Sequence, residues 1–516
     1  MSSTRKSLAI IGAGSSGLIT LKIALQHLPE WDIVCYEKSS SIQGCWGYPY
    51  EGFVSTSTKF TTQFNCHQKY DASVAFEPDY SEFFQNGQYG EYLEDFAKTF
   101  ELSPYIQRNT EIAKIERDEE IWRIHFSDTS KISKAFTHLA VCTGLAQRPK
   151  SIETDIPSLG AIRDFSDVRQ KTVLVIGGGE SAADTANRLA STELGNTVYL
   201  SLRQGIRVSP RYHPIRGVPS DFLRNRLMLS ISPGLRNRIG QKFVESRIKY
   251  QDAYHRLFPS KRHKEESPEA IKERRREWDL RFTKSAKDQL FNVFHNKSDG
   301  FLDAVGGERI RIIGPPSDGS FREFYQFQSE QKMGIDPDLI VPQIGYQSNL
   351  PKLFDSSVAV SDFYKGCVHQ SYENLFLVGF ARPIIGNIPA IAEQQAKYII
   401  SLIKGTTSRP TDITETHRQD RGRLKQQFPT LNTEAIYPVE MFPYCDLLAR
   451  ERNAYPTRKK VKSFKRWLKI MLCPASTSHY IDEDFNPQAV DSTPTYTPLI
   501  FNILLLIIKK IDRIRS

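Results

Sequence analysis

Glycines at positions 12, 14 and 17 follow the apolar run Leu8–Ile11, and a carboxylate, Glu37, stands twenty residues beyond the last of them. In Gly12-Ala13-Gly14-Ser15-Ser16-Gly17 each glycine has its own physical task. Gly12 permits a tight turn, Gly14 lets the backbone approach a pyrophosphate, and Gly17 lets a helix pack closely on the preceding strand. The free N–H groups at the start of that helix would face the pyrophosphate. Glu37, ending the β-rich segment Asp32-Ile-Val-Cys-Tyr-Glu37, can accept hydrogen bonds from a ribose diol. This is chemistry for holding a dinucleotide rather than for acid–base catalysis.

A second group repeats the arrangement: an apolar strand from Lys171 to Ile176, then Gly177-Gly178-Gly179-Glu180-Ser181-Ala182. Twenty residues after Ala182, where the first group has its carboxylate, stands Leu202 between Ser201 and Arg203. No acid is there to repel a 2′-phosphate, and a guanidinium is there to bind one, so the second nucleotide is expected to be NADP(H) rather than NAD(H).

The elements that must position these groups follow from their spacing. The first turn opens a helix running to about His27, and the second a helix continuing through Ala190, followed by a strand over Thr197–Arg203. The turns lie about 165 residues apart. Two domains in tandem would leave the last 200 or so residues without a role, so insertion of one nucleotide domain into the other is the expected plan. The apolar strands Asp338–Tyr346 and Asn374–Gly379 and a helix over Pro389–Ile403 are read as the remainder of the first domain. The helix N-terminus would face what lies after Gly379 and favour negative charge there. The fold class is therefore α/β, with two Rossmann-like dinucleotide-binding domains and a C-terminal helical or extended tail. The expected spans are 1–165 and 336–445 for the first dinucleotide domain, 166–335 for the second, and 446–516 for the tail.

Composition bounds the remaining classes. The 516 residues are 39% hydrophobic and 25% charged, which excludes a disordered or fibrous chain. Seven cysteines with no C-x-x-C pair exclude a disulfide scaffold, a zinc ribbon and a dithiol redox centre, so no metal is expected and a reducing compartment fits. A net charge of +10 suits an anionic cofactor, a membrane surface or nucleic acid, but no nucleic-acid-binding motif is present. Met1–Ser7 is polar and the apolar run after it ends at once in glycine, so no signal peptide is expected. Two basic stretches remain. Glu265–Lys287 mixes signs at helical spacing and reads as a solvated face. In Arg458–Met471 the residues Val461, Phe464, Leu468 and Met471 recur at helical spacing, so a stripe docked on the body is expected in preference to a membrane-surface helix. Leu499–Ile508, followed by Lys509, Lys510, Arg513 and Arg515, spans about 15 Å as a helix against the roughly 30 Å of a bilayer core. It is expected to seek a membrane interface or a groove reversibly, with the chain otherwise in the cytosol.

These segments occur in the order of a known family. Gly12–Gly17, Glu37-Lys38, Gly44-Cys45-Trp46, Val141–Gly144, Gly177–Ala182, Ser201–Gly205, Ile344–Tyr346, Asn374–Gly379 and Glu393–Ala396 are followed by a tail similar over Tyr437–Ala449 and Leu472–Tyr480. The chain resembles the flavin-containing monooxygenases, which use FAD and NADPH and are related to Baeyer–Villiger monooxygenases. The resemblance implies FAD along Gly12, Ala13, Gly14, Ser15, Ser16 and Gly17, with Glu37 on its ribose and Lys38 beside it. Gly44, Cys45 and Trp46 would border the flavin, Ile112 would touch the adenine region, Thr143 and Gly144 would close the site, and Gln395 would also serve the cofactor. NADPH would use Gly177, Gly179, Glu180, Ser181, Ser201 and Arg203. In such enzymes NADPH reduces the flavin, and a C4a-(hydro)peroxyflavin sheltered by NADP⁺ passes one atom of O2 to a small or lipophilic substrate. That substrate is an amine or sulfide, or a carbonyl beside which oxygen is inserted. The cofactor carries the chemistry, and the protein supplies orientation and a dry pocket.

Two departures bear on this implication. The family fingerprint Phe-x-Gly-x-x-x-His-x-x-x-aromatic would fall on Ser158–Val168, where only Gly160 agrees. The family's Thr-Asn pair, whose amide points at the flavin, falls on Ser55-Thr56, which makes Thr56 the side-chain donor for the reacting oxygen and leaves Ser55 beside the cofactor. Gln343 stands where the family has alanine, without a derivable consequence. The competing functions are an uncoupled NADPH oxidase or FAD-linked reductase, and a protein that only holds nucleotides. The last is disfavoured because close backbone approach to a ligand is what both glycine turns are for. Oligomeric state is left open.

Overall fold

The computed structural model describes residues 5–74, 81–203, 205–257 and 268–515, with the side chains of the final helix followed as far as Asp512. Met1–Thr4 of the polar opening, Gln204 of the second motif, residues 265–267 of the first basic stretch and the side chains of Arg513 and Arg515 lie outside the described residues.

The chain opens with strand β1 (Ser7–Ile11), whose five residues are all buried. Helix α1 (Ser15–His27) follows, then strand β2 (Asp32–Tyr36) and, after a long excursion, β3 (His138–Val141). β1 lies between β2 and β3 and is parallel to both. A parallel strand covered on both faces must be apolar throughout rather than alternating, which is the pattern of Leu8-Ala-Ile-Ile11.

The chain then leaves this sheet and builds a second with the same centre. Strand β4 (Thr172–Ile176), helix α2 (Glu180–Leu189), strand β5 (Thr197–Ser201) and strand β6 (Leu339–Pro342) form it, with β4 between β5 and β6 and parallel to both. Only afterwards does the chain return to the first sheet, where β7 (Leu375–Leu377) pairs with β3 and helix α3 (Ile388–Ile403) packs on α1. One nucleotide-type unit is thus inserted in the other.

Two expected boundaries shift. The strand read as the resumption of the first domain, and the boundary drawn between residues 335 and 336, belong elsewhere: Leu339–Pro342 pairs with Val173–Ile176, so the inserted unit extends at least to Pro342. Its apolar run fits either sheet, and only a pairing across some 165 residues decides between them. The boundary at 445/446 cuts a continuous helix, Met441–Glu451. Beyond it, Ala475 and Tyr480 are fully buried in the same hydrophobic core as β1, so much of the supposed tail is part of the first unit.

In each unit the glycine turn sits at the carboxyl end of the central strand, where neighbouring strands diverge to either side, which is where open α/β sheets bind ligands. Gly12 has φ +99° and Gly177 φ +137°, a region that disfavours any side chain. A Cβ on Gly17 would overlap the Gly12 carbonyl, and one on Gly177 would overlap the Gln343 carbonyl. These glycines let helix and strand close upon each other.

The basic segments are corrected in phase. The first forms the helix Glu269–Ser285, with ion pairs Arg275–Asp303 and Arg276–Asp252, yet it also buries Phe282. The second is not one helix: Lys462, at φ +60°, and the capping Ser463 separate Arg458–Val461 from Phe464–Leu472. The break resets the helical phase, so Val461 is buried while Phe464 and Leu468 face solvent at 55% and 41% exposure and Ile470 takes the docked position. The terminal apolar run opens a longer helix, α4 (Leu499–Arg515), of 17 residues that continues through the basic end. Its buried Asn502 accepts a hydrogen bond from Asn225 Nδ2 at 3.0 Å, and Asp512 accepts from the Ser232 amide and hydroxyl. Leu499, Ile500, Ile503, Leu504, Leu506 and Ile507 are exposed. Among the described residues no helix is long and apolar enough to cross a membrane.

Gly17→Ala is expected to destabilise the protein by about 3 kcal/mol or more, through forced opening of the first turn. Gly14→Ala, whose added Cβ meets nothing nearer than Gly44 Cα at 3.5 Å, should leave the melting temperature of the cofactor-free protein within a degree or so of wild type. Thermal unfolding of both variants checks the contrast, and equal losses would refute it.

Candidate functional site

A single cleft of about 1410 Å³ runs between the carboxyl ends of the two sheets and is lined by both glycine turns. Gly14 and Gly179 stand at the N-caps of α1 and α2, with ordinary φ values of −69° and −91°. Nothing lies within 4 Å of a Cβ placed on Gly179, and at Gly14 the contact is ordinary. The protein itself therefore does not require glycine at either position, whereas a ligand laid against the backbone does. Neither helix has a side-chain cap, so the first-turn N–H groups are left for that ligand. Two pyrophosphate groups, one per turn, fit these cradles.

On the first side, Gly12, Gly14, Ser15, Ser16, Glu37 and Lys38 line the cleft, as do Gly44, Cys45 and Trp46 from a short 3₁₀ turn. Ile112, Thr143 and Gly144 line it too, and the Thr143 hydroxyl donates to Asn349 Oδ1 at 2.7 Å. Glu37 is 7% exposed; its carboxylate accepts from the Ala13 amide at 2.7 Å and the Ser39 amide at 2.9 Å, which ties the end of β2 to the turn. Ala13 and Gly17 are buried behind the turn.

Three expected site residues have other duties. Gln395 does not reach the cleft: it is fully buried, accepts from the Gly379 amide at 2.8 Å and donates to the Tyr444 hydroxyl at 2.8 Å. Glu393, one helical step before it, holds the Asn65 amide on both carboxylate oxygens. The Glu393–Gln395 motif thus anchors loops that border the site. Ser201 and Ser55 do line the cleft, but their hydroxyls are engaged in donating to the Gly314 and Ser57 carbonyls at 2.8 and 2.7 Å. The partners of Gln395 and Ser201 are distant in the chain and cannot be read from local sequence, whereas Ser55 turns to a carbonyl only two residues on.

On the second side Gly177, Gly179, Glu180, Ser181 and Arg203 line the cleft, and Arg203 is exposed, with no carboxylate bonded to it among the described residues. Glu180, at the start of α2, is the electrostatic centre. It opens onto the cleft but is walled by protein, and removal from bulk water pushes its carboxyl up to about 7. Lys297, Arg211 and Arg382 pull in the opposite direction, as does a hydrogen bond from Thr56. Thr56 lies on the strand Val54–Thr58, so the residue assigned to the reacting oxygen joins the two sides of the cleft. Its carbonyl accepts from Lys297 Nζ at 2.6 Å, and that ammonium pairs with Asp221 at 2.7 Å. Arg211 donates to the Ser55 and Val54 carbonyls and pairs with Asp299 at 2.8 Å. Sequence reasoning missed Lys297, Arg211 and Arg382, which belong to no motif and meet only through the fold.

Cys66, Glu393 and Asp484 bring possible metal-ligating atoms within 4.8 Å of one another. The cation there is already Lys397, 2.6 Å from Asp484 and 3.0 Å from Asp482. Burial, with these aspartates close by, pushes Glu393 up to about 8.

The model of a family described as flavin-binding monooxygenase-like matches residues 5–273 of this chain. A 4-hydroxybenzoate brominase (decarboxylating) of Marinomonas mediterranea is 26% identical over 514 residues, covering 95% of this chain and 92% of that protein. Flavin-containing monooxygenase 5 of Homo sapiens is 24% identical over 514 residues, covering 92% and 89%. Among solved structures, the S-allyl-L-cysteine S-oxygenase of Allium sativum aligns over 98% of both chains with a TM-score of 0.57 and 16% identity.

An anionic ligand at the start of α2 is repelled by ionised Glu180 and not by the neutral acid, so its binding should weaken as pH rises through about 7. Thr56→Val removes the hydrogen bond that favours the carboxylate and should move this midpoint upward, while Glu180→Gln should flatten the profile. Calorimetric titration of NADP⁺ between pH 6 and 9 reads all three, and an unchanged midpoint in Thr56→Val would show that the hydroxyl does not act on Glu180.

Proposed function

The chain belongs to the flavin-binding monooxygenase-like family, and we propose that it uses FAD and NADPH to transfer one atom of O2 to a small or lipophilic organic substrate. It is a flavin-dependent monooxygenase, an oxidoreductase. The observation that carries the reading is the pair of ligand-demanding glycines, Gly14 and Gly179, facing one shared cleft. A cofactor on each turn would bring both into the same space, as electron transfer from a nicotinamide to a flavin needs.

In this reading Gly12–Ser16, with Glu37, hold FAD, and Gly177–Ser181, with Arg203, hold NADPH. Bound flavin, once reduced, supplies the two electrons that activate oxygen. One oxygen atom goes to the substrate and the other leaves as water, with NADPH and a proton as the reductant. Trp46, packed on Tyr89 and Phe53, gives the flavin end of the cleft a rigid apolar wall that helps exclude water. We assign Thr56 as the hydrogen-bond donor nearest the reacting oxygen, a role in which its hydroxyl turns from Glu180, to which it donates here, toward that oxygen. Nitrogen or sulfur oxygenation and Baeyer–Villiger insertion share these requirements, and an uncoupled oxidase lacks only the last transfer.

One observation favours a second reading: the relative matched over 95% of the chain is named a brominase of 4-hydroxybenzoate. In that case bromide would accept the oxygen atom, and the resulting oxidised bromine would attack a phenol ring. A bromide requirement for product formation separates the two.

Adding NADPH anaerobically to the flavin-loaded protein should bleach the flavin, and Arg203→Ala should weaken NADPH by roughly 10- to 150-fold while sparing NADH. Absence of bleaching would defeat both the oxygenase and the oxidase readings. Stoichiometric peroxide with every substrate would leave the oxidase.

The exposed apolar side of α4 and its basic end support peripheral contact with the cytosolic face of a membrane. Removal of residues 495–516 should release membrane-bound protein with its flavin retained, as measured by flotation with liposomes. Loss of flavin or precipitation would make α4 a strut of the fold.

A further inference from the structure

Arg382 follows the Gly379 turn on the strand Ala381–Ile385, and it faces the cleft. Its guanidinium lies over the Phe294 ring, 4.8 Å from the centroid, and among the described residues no hydrogen bond or ion pair holds it. Lys297 and Arg211, its basic neighbours around Glu180, are each paired with an aspartate, Asp221 and Asp299. Arg382 is therefore a desolvated cation whose donors are not committed to the protein. Burial lowers its pKa, against the attraction of Glu180 and Tyr346, so the charge is held at a cost that an incoming anion would relieve.

Apolar groups stand next to it: Phe294 under its guanidinium and Pro383, Ile384 and Ile385 along its own strand all line the cleft, and Asn387 is engaged in capping α3 and donating to the Thr61 carbonyl. The phosphate-binding duties are already covered elsewhere: each glycine turn presents amides to a pyrophosphate, and Arg203 stands at the end of β5 for a 2′-phosphate. One fork-shaped cation against an apolar, aromatic-walled surface matches a molecule with one carboxylate and one flat apolar body.

We propose that Arg382 is a specificity-determining residue that anchors the carboxylate of an aromatic acid, with the ring of that acid against the apolar wall next to Phe294 and Ile385. The inference rests on the oxygenase reading for treating this ligand as substrate, but its test reads binding and needs no turnover.

Benzoate and its neutral analogue benzamide are titrated calorimetrically into the full-length, flavin-loaded protein, and into Arg382→Gln and Arg382→Lys. The wild type should prefer benzoate by roughly 10- to 150-fold, the value of a charge-assisted contact. At pH 6, where Glu180 is largely neutral in both proteins, Arg382→Gln should abolish that preference while binding NADP⁺ as before, and Arg382→Lys should keep part of it. Equal affinity for the two probes, no binding of either, or a preference that survives in Arg382→Gln would each overturn the assignment. So would a loss of NADP⁺ affinity that leaves benzoate binding unchanged, because Arg382 would then serve the nucleotide. Should Arg382→Gln not fold, a benzoate preference in wild type that falls as salt is raised still supports a charged anchor, and a salt-independent preference overturns it. Failure of the oxygenase reading would show instead as an unbleached flavin, which leaves these binding measurements intact.

Discussion

The architecture depends on how closely a helix can approach the end of a strand. At Gly17 and Gly177 the separation is so small that a single methyl group would strike a backbone carbonyl. That closeness turns the first amides of α1 and α2 toward one cleft and fixes where Glu37 and Glu180 stand. Had either turn been wider, the amides would be displaced from the axis of the central strand, and the two nucleotide cradles would no longer open onto the same space.

Two kinds of glycine share these turns. Gly12, Gly17 and Gly177 are required by the protein, through positive φ or through contact with neighbouring backbone. Gly14 and Gly179 are required by nothing in the protein. Sequence shows them all alike, and only coordinates separate the glycines that build the cradle from those that leave it empty for a ligand. The charges around the cleft are similarly divided. Lys297 and Arg211 are fixed by aspartates and brace the strand carrying Thr56, while Arg203 and Arg382 have no ion-pair partner among the described residues.

Much of this was legible because it is local. The turns, α1 from Ser15 to His27, and the strand leading to Glu37 are each decided within a few dozen residues, where glycine placement and apolar runs carry the information. What failed to show was long-range. Leu339–Pro342 looks the same whether it pairs with β1 or β4. The serine at 201 looks like a ligand donor until the carbonyl of Gly314, over a hundred residues on, is found beside it. Gln395 carries a family motif yet faces Gly379 and Tyr444 rather than the cleft. The apolar stripe of the second basic stretch is misread for a different reason: one residue at positive φ, Lys462, rotates everything after it.

The division of the first sheet between distant parts of the chain bears on how the protein emerges during synthesis. The inserted unit is contiguous, its central strands all lying between Thr172 and Pro342, and it can assemble as soon as that span has left the ribosome. The first unit cannot. Its strand Leu375–Leu377 is made more than two hundred residues after the partner it joins, and Ala475 and Tyr480 complete its core later still. Until then β1, β2 and β3 form a sheet with an open edge beside β3, the kind of exposed surface that aggregates. The unit made first is thus the last to close, and the nascent chain carries that unsealed edge while more than two hundred further residues are made.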